Sequence, residues 1–193
     1  MNQAEIKLLS AELRDQTKDS HQALEAVVVR KIKEIRSHEQ YGLLLHQFYG
    51  YHFPMEQLMD KYLNDEIIPS YSSRRRAEQI LKDLSKLGSP ATAIPQAVDL
   101  PVIDSVAKAM GAFYVLEGST QGGSIVAGML IKYAGLTPDT TSFFYAYGDD
   151  KSLWHSFKEK VDTRSDDPVF RAEAVKAANE TFSAFREWMI KNP

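Results

Sequence analysis

Four residues near the N-terminus carry the first chemical signal. Arg14, Lys18, His21 and Glu25 follow one another at i, i+4, i+7 and i+11, a spacing that lines them along one flank of a helix. Beside them Ile6, Leu9, Leu13, Thr17, Leu24, Val27 and Val28 make an apolar stripe. His21 therefore stands where an apolar face meets a basic one. An amphipathic anion needs such a place, with its apolar body toward the core and its carboxylates toward Arg14 and Lys18. The same residues also suit a solvated helix flank whose charges form only weak surface pairs. Spacing alone leaves both readings open.

The second signal is the stretch Glu117-Gly-Ser-Thr-Gln-Gly-Gly-Ser124. Helical spacing leads into it through Val106, Met110, Phe113 and Leu116, and out of it through Ile125, Val126, Met129, Leu130 and Tyr133. Three glycines inside a helix, Gly118, Gly122 and Gly123, give up about 3 kcal/mol relative to alanine. A chain that accepts this gains a kink, a close approach to another helix, or bare backbone on which a flat ligand rests. A phosphate-binding loop is excluded, because no Lys-Ser or Lys-Thr follows the glycines and no apolar strand precedes them.

Helices must position both features. The pattern predicts a helix from about Glu5 to Arg30, then a long one over 38–66 that Pro54 kinks or breaks near Phe53. His46 and His52, six apart, share no face cleanly and read as packed or exposed histidines. A third helix opens on Arg74-Arg75-Arg76, taken as a solvated face, and runs through Leu87. Residues 88–101, with three prolines and no periodicity, form a connecting loop. After the glycine stretch, Phe143-Phe144-Tyr145-Ala-Tyr147-Gly148 introduces a helix with Trp154, Phe157 and Val161. A last helix from about Pro168 to Ile190 carries Val175, Ala178, Phe182, Phe185 and Met189 on one face. No strand-like alternation persists. The expectation is an all-α fold, a single irregular bundle in which residues 1–193 form one domain.

Composition narrows the chemistry further. The 193 residues contain no cysteine, which removes disulfides, thiolate metal sites and cysteine nucleophiles. A net charge of −3 provides no general attraction to nucleic acid or to acidic membranes. No apolar run has the length to span a bilayer, and the N-terminus lacks a signal-peptide core, so a cytoplasmic protein is expected.

In order along the chain, the two signals resemble the haem oxygenase family. Leu13-Arg-Asp-Gln-Thr17-Lys-Asp-Ser-His21-Gln-Ala-Leu-Glu25 is similar to the family's proximal helix. Tyr114-Val-Leu-Glu117-Gly-Ser119-Thr-Gln-Gly122-Gly123 is similar to the distal helix of its bacterial branch, including members that accompany bacterial phytochromes. Phe143-Phe144, Trp154 to Phe157 and Thr181 to Trp188 continue the likeness over most of the chain.

The resemblance implies that His21 is the axial ligand to haem iron, as neutral imidazole with Glu25 accepting from its other nitrogen. Arg14 and Lys18 are implied as partners of the haem propionates, with Thr17 and Tyr114 also in the haem-binding set. Gly118, Ser119, Gly122 and Gly123 match the catalytic distal segment that passes over the haem face. There the family uses no distal histidine; backbone proximity and water direct activated oxygen to the porphyrin edge. Haem is then both cofactor and substrate, O2 the co-substrate, and biliverdin, ferrous iron and carbon monoxide the products. Electrons come from an external donor such as a ferredoxin, a flavoprotein or another reductase, because no flavin or dinucleotide fingerprint is present.

The chain departs from the pattern at Gln121 and Ser124, where many bacterial relatives have leucine and glutamine. Ser119 stands where the animal branch has a water-organising aspartate. Glu117 is left either to supply a carboxylate or to pack between helices. Three further functions compete: a haem-binding protein on the same fold without turnover, a helical di-iron oxygenase built around Glu34 and His38, and a cofactorless helical interaction module, which leaves the glycine cluster unexplained.

Overall fold

A computed structural model describes residues 7–74 and 76–192. The described residues form eight α-helices and no strand. They are α1 (Leu9–Gln16), α2 (Lys18–Glu34), α3 (His38–Met59), α4 (Glu78–Lys86), α5 (Val106–Gly118), α6 (Gly123–Ala134), α7 (Ser152–Asp162) and α8 (Pro168–Lys191). Short 3-10 turns occupy Tyr71–Ser73 and Ser119–Gly122. The all-α expectation holds. Several helix ends follow from local chemistry. Ser37, Ser105 and Asp167 each accept the amide three residues on, while Gly135, at φ 65°, closes α6 in the left-handed region.

The first expected helix divides in two. Thr17 takes φ −107° and ψ 4° between α1 and α2, and its buried hydroxyl donates to the Leu13 carbonyl at 2.7 Å. A threonine bonding back one turn in this way bends a helix. Amide bonds still run from Thr17 to Leu13 and from His21 to Thr17, so the flank carrying Arg14 and His21 is bent rather than cut. The expected start at Glu5 and Ile6 lies outside the described residues.

Pro54 does not break α3. Proline lacks the N–H that would bond the carbonyl four residues back, here that of Gly50. The loop after α4 supplies the missing donor, since Ala97 N reaches the Gly50 carbonyl at 2.8 Å. Gly50 must be glycine for this loop to approach, because a Cβ there would meet the Pro95 carbonyl and the Trp188 ring.

Helix α8 lies against α1, α2, α3 and α5. Its small residues Ala174, Ala177 and Ala178 are buried, and Gly111 of α5 faces the Ala174 carbonyl too closely to carry a side chain. One contiguous core runs through this arrangement. An aromatic group of Phe48, Phe143, Phe144 and Phe185 fills its centre with largely edge-on contacts.

Candidate functional site

The candidate site is built from α2 on one side and the α5–α6 connection on the other. Tyr114 on α5 stands beside Thr17, and burial pushes its phenol upward. The contact fixes where α5 meets the α1–α2 junction. One helical turn beyond it on α2 stands His21; one turn beyond it on α5 stands Gly118. Past the 3-10 turn, α6 comes back against α2. The glycine segment therefore joins α6, which touches the helix carrying His21, to α5, whose Tyr114 stands beside Thr17 just before that helix begins.

His21 is exposed, its ring 5.4 Å from that of buried Phe182 on α8. Among the described residues neither imidazole nitrogen is hydrogen-bonded, so the expected bond to Glu25 is not formed; both side chains face solvent. Lys18 is likewise exposed and makes no ion pair among the described residues. Arg14 differs. Its Nε donates to Asp15 at 2.9 Å, and Asp15 also pairs with Lys7 at 2.8 Å. Those bonds from Lys7 and Arg14 hold the Asp15 carboxyl below its ordinary range. Lys31, next along the basic side, reaches the Asn192 carbonyl at 3.3 Å.

The three distal glycines separate by surroundings. None has positive φ, so space, not left-handed backbone, is the reason for each. At Gly118 a Cβ would stand 3.4 Å from the Trp154 ring. Beyond Gly122 there is nothing within 4 Å. Gly123 is buried against the Phe144 carbonyl, and a Cβ would run into that oxygen. The platform and packing readings thus both apply, to different residues: open space at Gly122, close packing at Gly123. Ser119 and Thr120 each donate to a carbonyl three residues back, those of Leu116 and Glu117 at 2.7 Å. A hydroxyl used this way serves the end of α5 rather than replacing a carboxylate.

Glu117 points into the interior. It is 2% exposed and pairs with Arg74 at 2.5 Å. This corrects the reading of Arg74-Arg75-Arg76 as a solvated face. Arg74 is wholly buried, and Arg76 is paired with Glu56 and Asp60; Arg75 lies outside the described residues. One signal was available: Glu117 is the only charge between Ala109 and Gly118, and a lone buried charge demands a partner. Which of nine arginines answers it depends on long-range packing. Phe182 and Trp154, which back His21 and Gly118, carry no local sequence cue for those roles.

The di-iron alternative fails on geometry. Glu34 ends α2 and His38 begins α3, with Ile35–Ser37 between them, and no three His, Asp or Glu side chains cluster to hold a metal among the described residues. Haem suits the donor set better. A metal already held in a macrocycle asks the protein for one axial imidazole, apolar surface for the ring and cations for its carboxylates. His21, Phe182 and Lys18 offer these, and Gly122 leaves its side of the backbone uncovered.

An all-helical protein with an exposed histidine on α2 and a glycine-rich 3-10 turn between α5 and α6 is the class the fold defines. Comparison with known proteins agrees. The sequence model described as Heme oxygenase matches residues 7–191. A protein of Xanthomonas campestris pv. campestris (strain 8004) named heme oxygenase is 31% identical over 131 residues, covering 67% of this chain and 76% of that protein. The chain belongs to the haem oxygenase family and is an enzyme of that kind.

Proposed function

We infer that the protein binds haem between α2 and the α5–α6 connection and cleaves it with O2 to biliverdin, ferrous iron and carbon monoxide. The observation that carries the reading is His21: an unbonded imidazole on α2 beside Phe182, on the helix against which α6 packs as it leaves the glycine segment. Haem, once bound, supplies the iron at which oxygen is activated and the ring that is cleaved. Electrons come from a separate donor, a ferredoxin, a flavoprotein or another reductase. No described helix is long and apolar enough to cross a membrane, which is compatible with work in the cytoplasm. Residues 1–193 are read as one haem oxygenase-like domain, in keeping with the single core.

The residues divide the work. His21 binds as neutral imidazole, the form in which a ring nitrogen has a lone pair to give. Lys18 and Arg14 orient the ring through its propionates, and Thr17 and Tyr114 set the spacing of the two walls. Gly122 leaves backbone bare where a side chain would exclude oxygen, Gly118 and Ser119 lead the distal segment to it, and Gly123 anchors that backbone to the 143–144 turn. Glu25, one turn after His21, accepts from the second imidazole nitrogen once haem binding orders the ring.

Hemin titration of the protein and of His21→Ala tests this. The parent should bind one equivalent with the absorption spectrum of imidazole-ligated haem, and the variant should lose that signature. An unchanged Soret band and spin state in His21→Ala would remove His21 from the site.

A further inference from the structure

Gly118, the first residue of the distal kink, is backed by the Trp154 ring of α7. Both sides of that contact are tied to one guanidinium. Arg74 donates through Nη1 to Glu117, the residue before Gly118, at 2.5 Å. The same Nη1 bonds the Leu153 carbonyl at 2.9 Å, and Nη2 bonds Ser156 Oγ at 3.0 Å. Leu153 and Ser156 flank Trp154 in the first turn of α7. Nε and Nη2 both bond the Pro69 carbonyl, at 3.3 and 2.9 Å. All five guanidinium donors are used, and the side chain has no exposure.

A lysine presents one compact charge and cannot make this planar fan. Glu117 is fixed on its other oxygen as well, with the Tyr147 hydroxyl at 3.4 Å. The arrangement does more than neutralise a carboxylate. It fixes the end of α5, the start of α7 and the 69–74 turn relative to one another, at the residue where the glycine segment begins.

We propose that Arg74 and Glu117 are positioning residues, whose buried ion pair sets where the segment 118–122 stands over the haem face. The proposal rests on the haem-site reading for its consequence and on the contacts of Arg74 and Glu117 for its geometry, so the two are tested separately. Two variants are used. Glu117→Gln keeps the size and an acceptor for Arg74 but removes the charge. Ser156→Ala removes one acceptor of the fan on a half-exposed helix and folds even where Glu117→Gln does not.

Hydrogen exchange of the apo proteins is the first readout. Amides of 117–123 should exchange at least tenfold faster in Glu117→Gln and two- to fivefold faster in Ser156→Ala, with those of α2 unchanged. Azide affinity of the hemin-loaded proteins is the second. It should shift at least threefold in Glu117→Gln, while hemin affinity and the imidazole-ligated spectrum stay as in the parent. Exchange confined to parent rates in both variants overturns the proposal, as does faster exchange spread evenly over all helices, which marks general destabilisation. Faster exchange at 117–123 with azide affinity unaltered overturns the link to haem. A parent protein that binds no hemin defeats the haem-site reading, and the exchange result then still decides whether the pair positions the segment.

Discussion

Alanine at Gly122 and alanine at Gly123 add the same methyl group to adjacent residues, with opposite expected outcomes. Gly122 sits at φ −101° and ψ 0°, which an L-residue adopts, and its missing Cβ points into open space. Restricting the unfolded chain there stabilises by about 0.4–1 kcal/mol, a rise in Tm of roughly 1–4 °C for a chain this long. At Gly123 the methyl meets the Phe144 carbonyl, part of a turn whose preceding amide is held by buried Asp83 at 2.8 Å. Overpacking against fixed backbone costs on the order of 3 kcal/mol, or about 6–12 °C. Thermal melts of the apo proteins give these signs directly. Hemin titration and ascorbate-driven turnover then separate the roles. Gly122→Ala should bind hemin and stall before biliverdin, because its methyl would occupy the open space the proposed site gives to oxygen. Gly123→Ala, once folded at low temperature, should suffer mainly in stability. A Gly122→Ala protein that melts well below the parent, or degrades haem at the parent's rate, would refute the reasoning.

Replacing both Arg14 and Lys18 by alanine should weaken hemin binding at least tenfold, since charge-assisted bonds to carboxylates contribute about 1.5–3 kcal/mol before solvent screening. Most of the loss should come from Lys18→Ala alone, because Arg14 is already shared with Asp15; equal single-variant affinities in a hemin titration would contradict this. Burial pushes the Asp83 carboxyl above its ordinary range despite bonds from Ser142 and Phe143. The folded state therefore holds that proton more tightly than the unfolded chain. Its stabilisation is complete below the unfolded value of about 3.9 and lost as pH rises through the folded value. The stability difference between the parent and Asp83→Asn, from urea melts, should fall over that window; a flat difference would contradict the sign.

The helix order and the His21 stripe were legible because both rest on 3.6-residue periodicity, which local sequence carries. Three features were not. Thr17 bends the first helix through a hydroxyl bond to Leu13, without a glycine or proline to announce it. Pro54 sits inside α3 because Ala97, from a distant loop, answers the carbonyl the proline leaves open. Arg74 reads as surface in a run of three arginines until Glu117, Leu153 and Ser156 are brought around it. In each case the deciding partner is a backbone or side-chain group whose position only packing determines. The glycine stretch was legible as a special segment, but the division of labour between Gly122 and Gly123 depends on Phe144, some twenty residues away.

The proposed site turns haem over rather than merely holding it. The direct test is to load the protein with one equivalent of hemin, add ascorbate in air, and follow the visible spectrum to completion. Loss of the Soret band with growth of biliverdin absorbance, abolished in His21→Ala, is the expected outcome. A reduced haem spectrum that persists without biliverdin would contradict it and leave a haem-binding protein on a haem oxygenase fold.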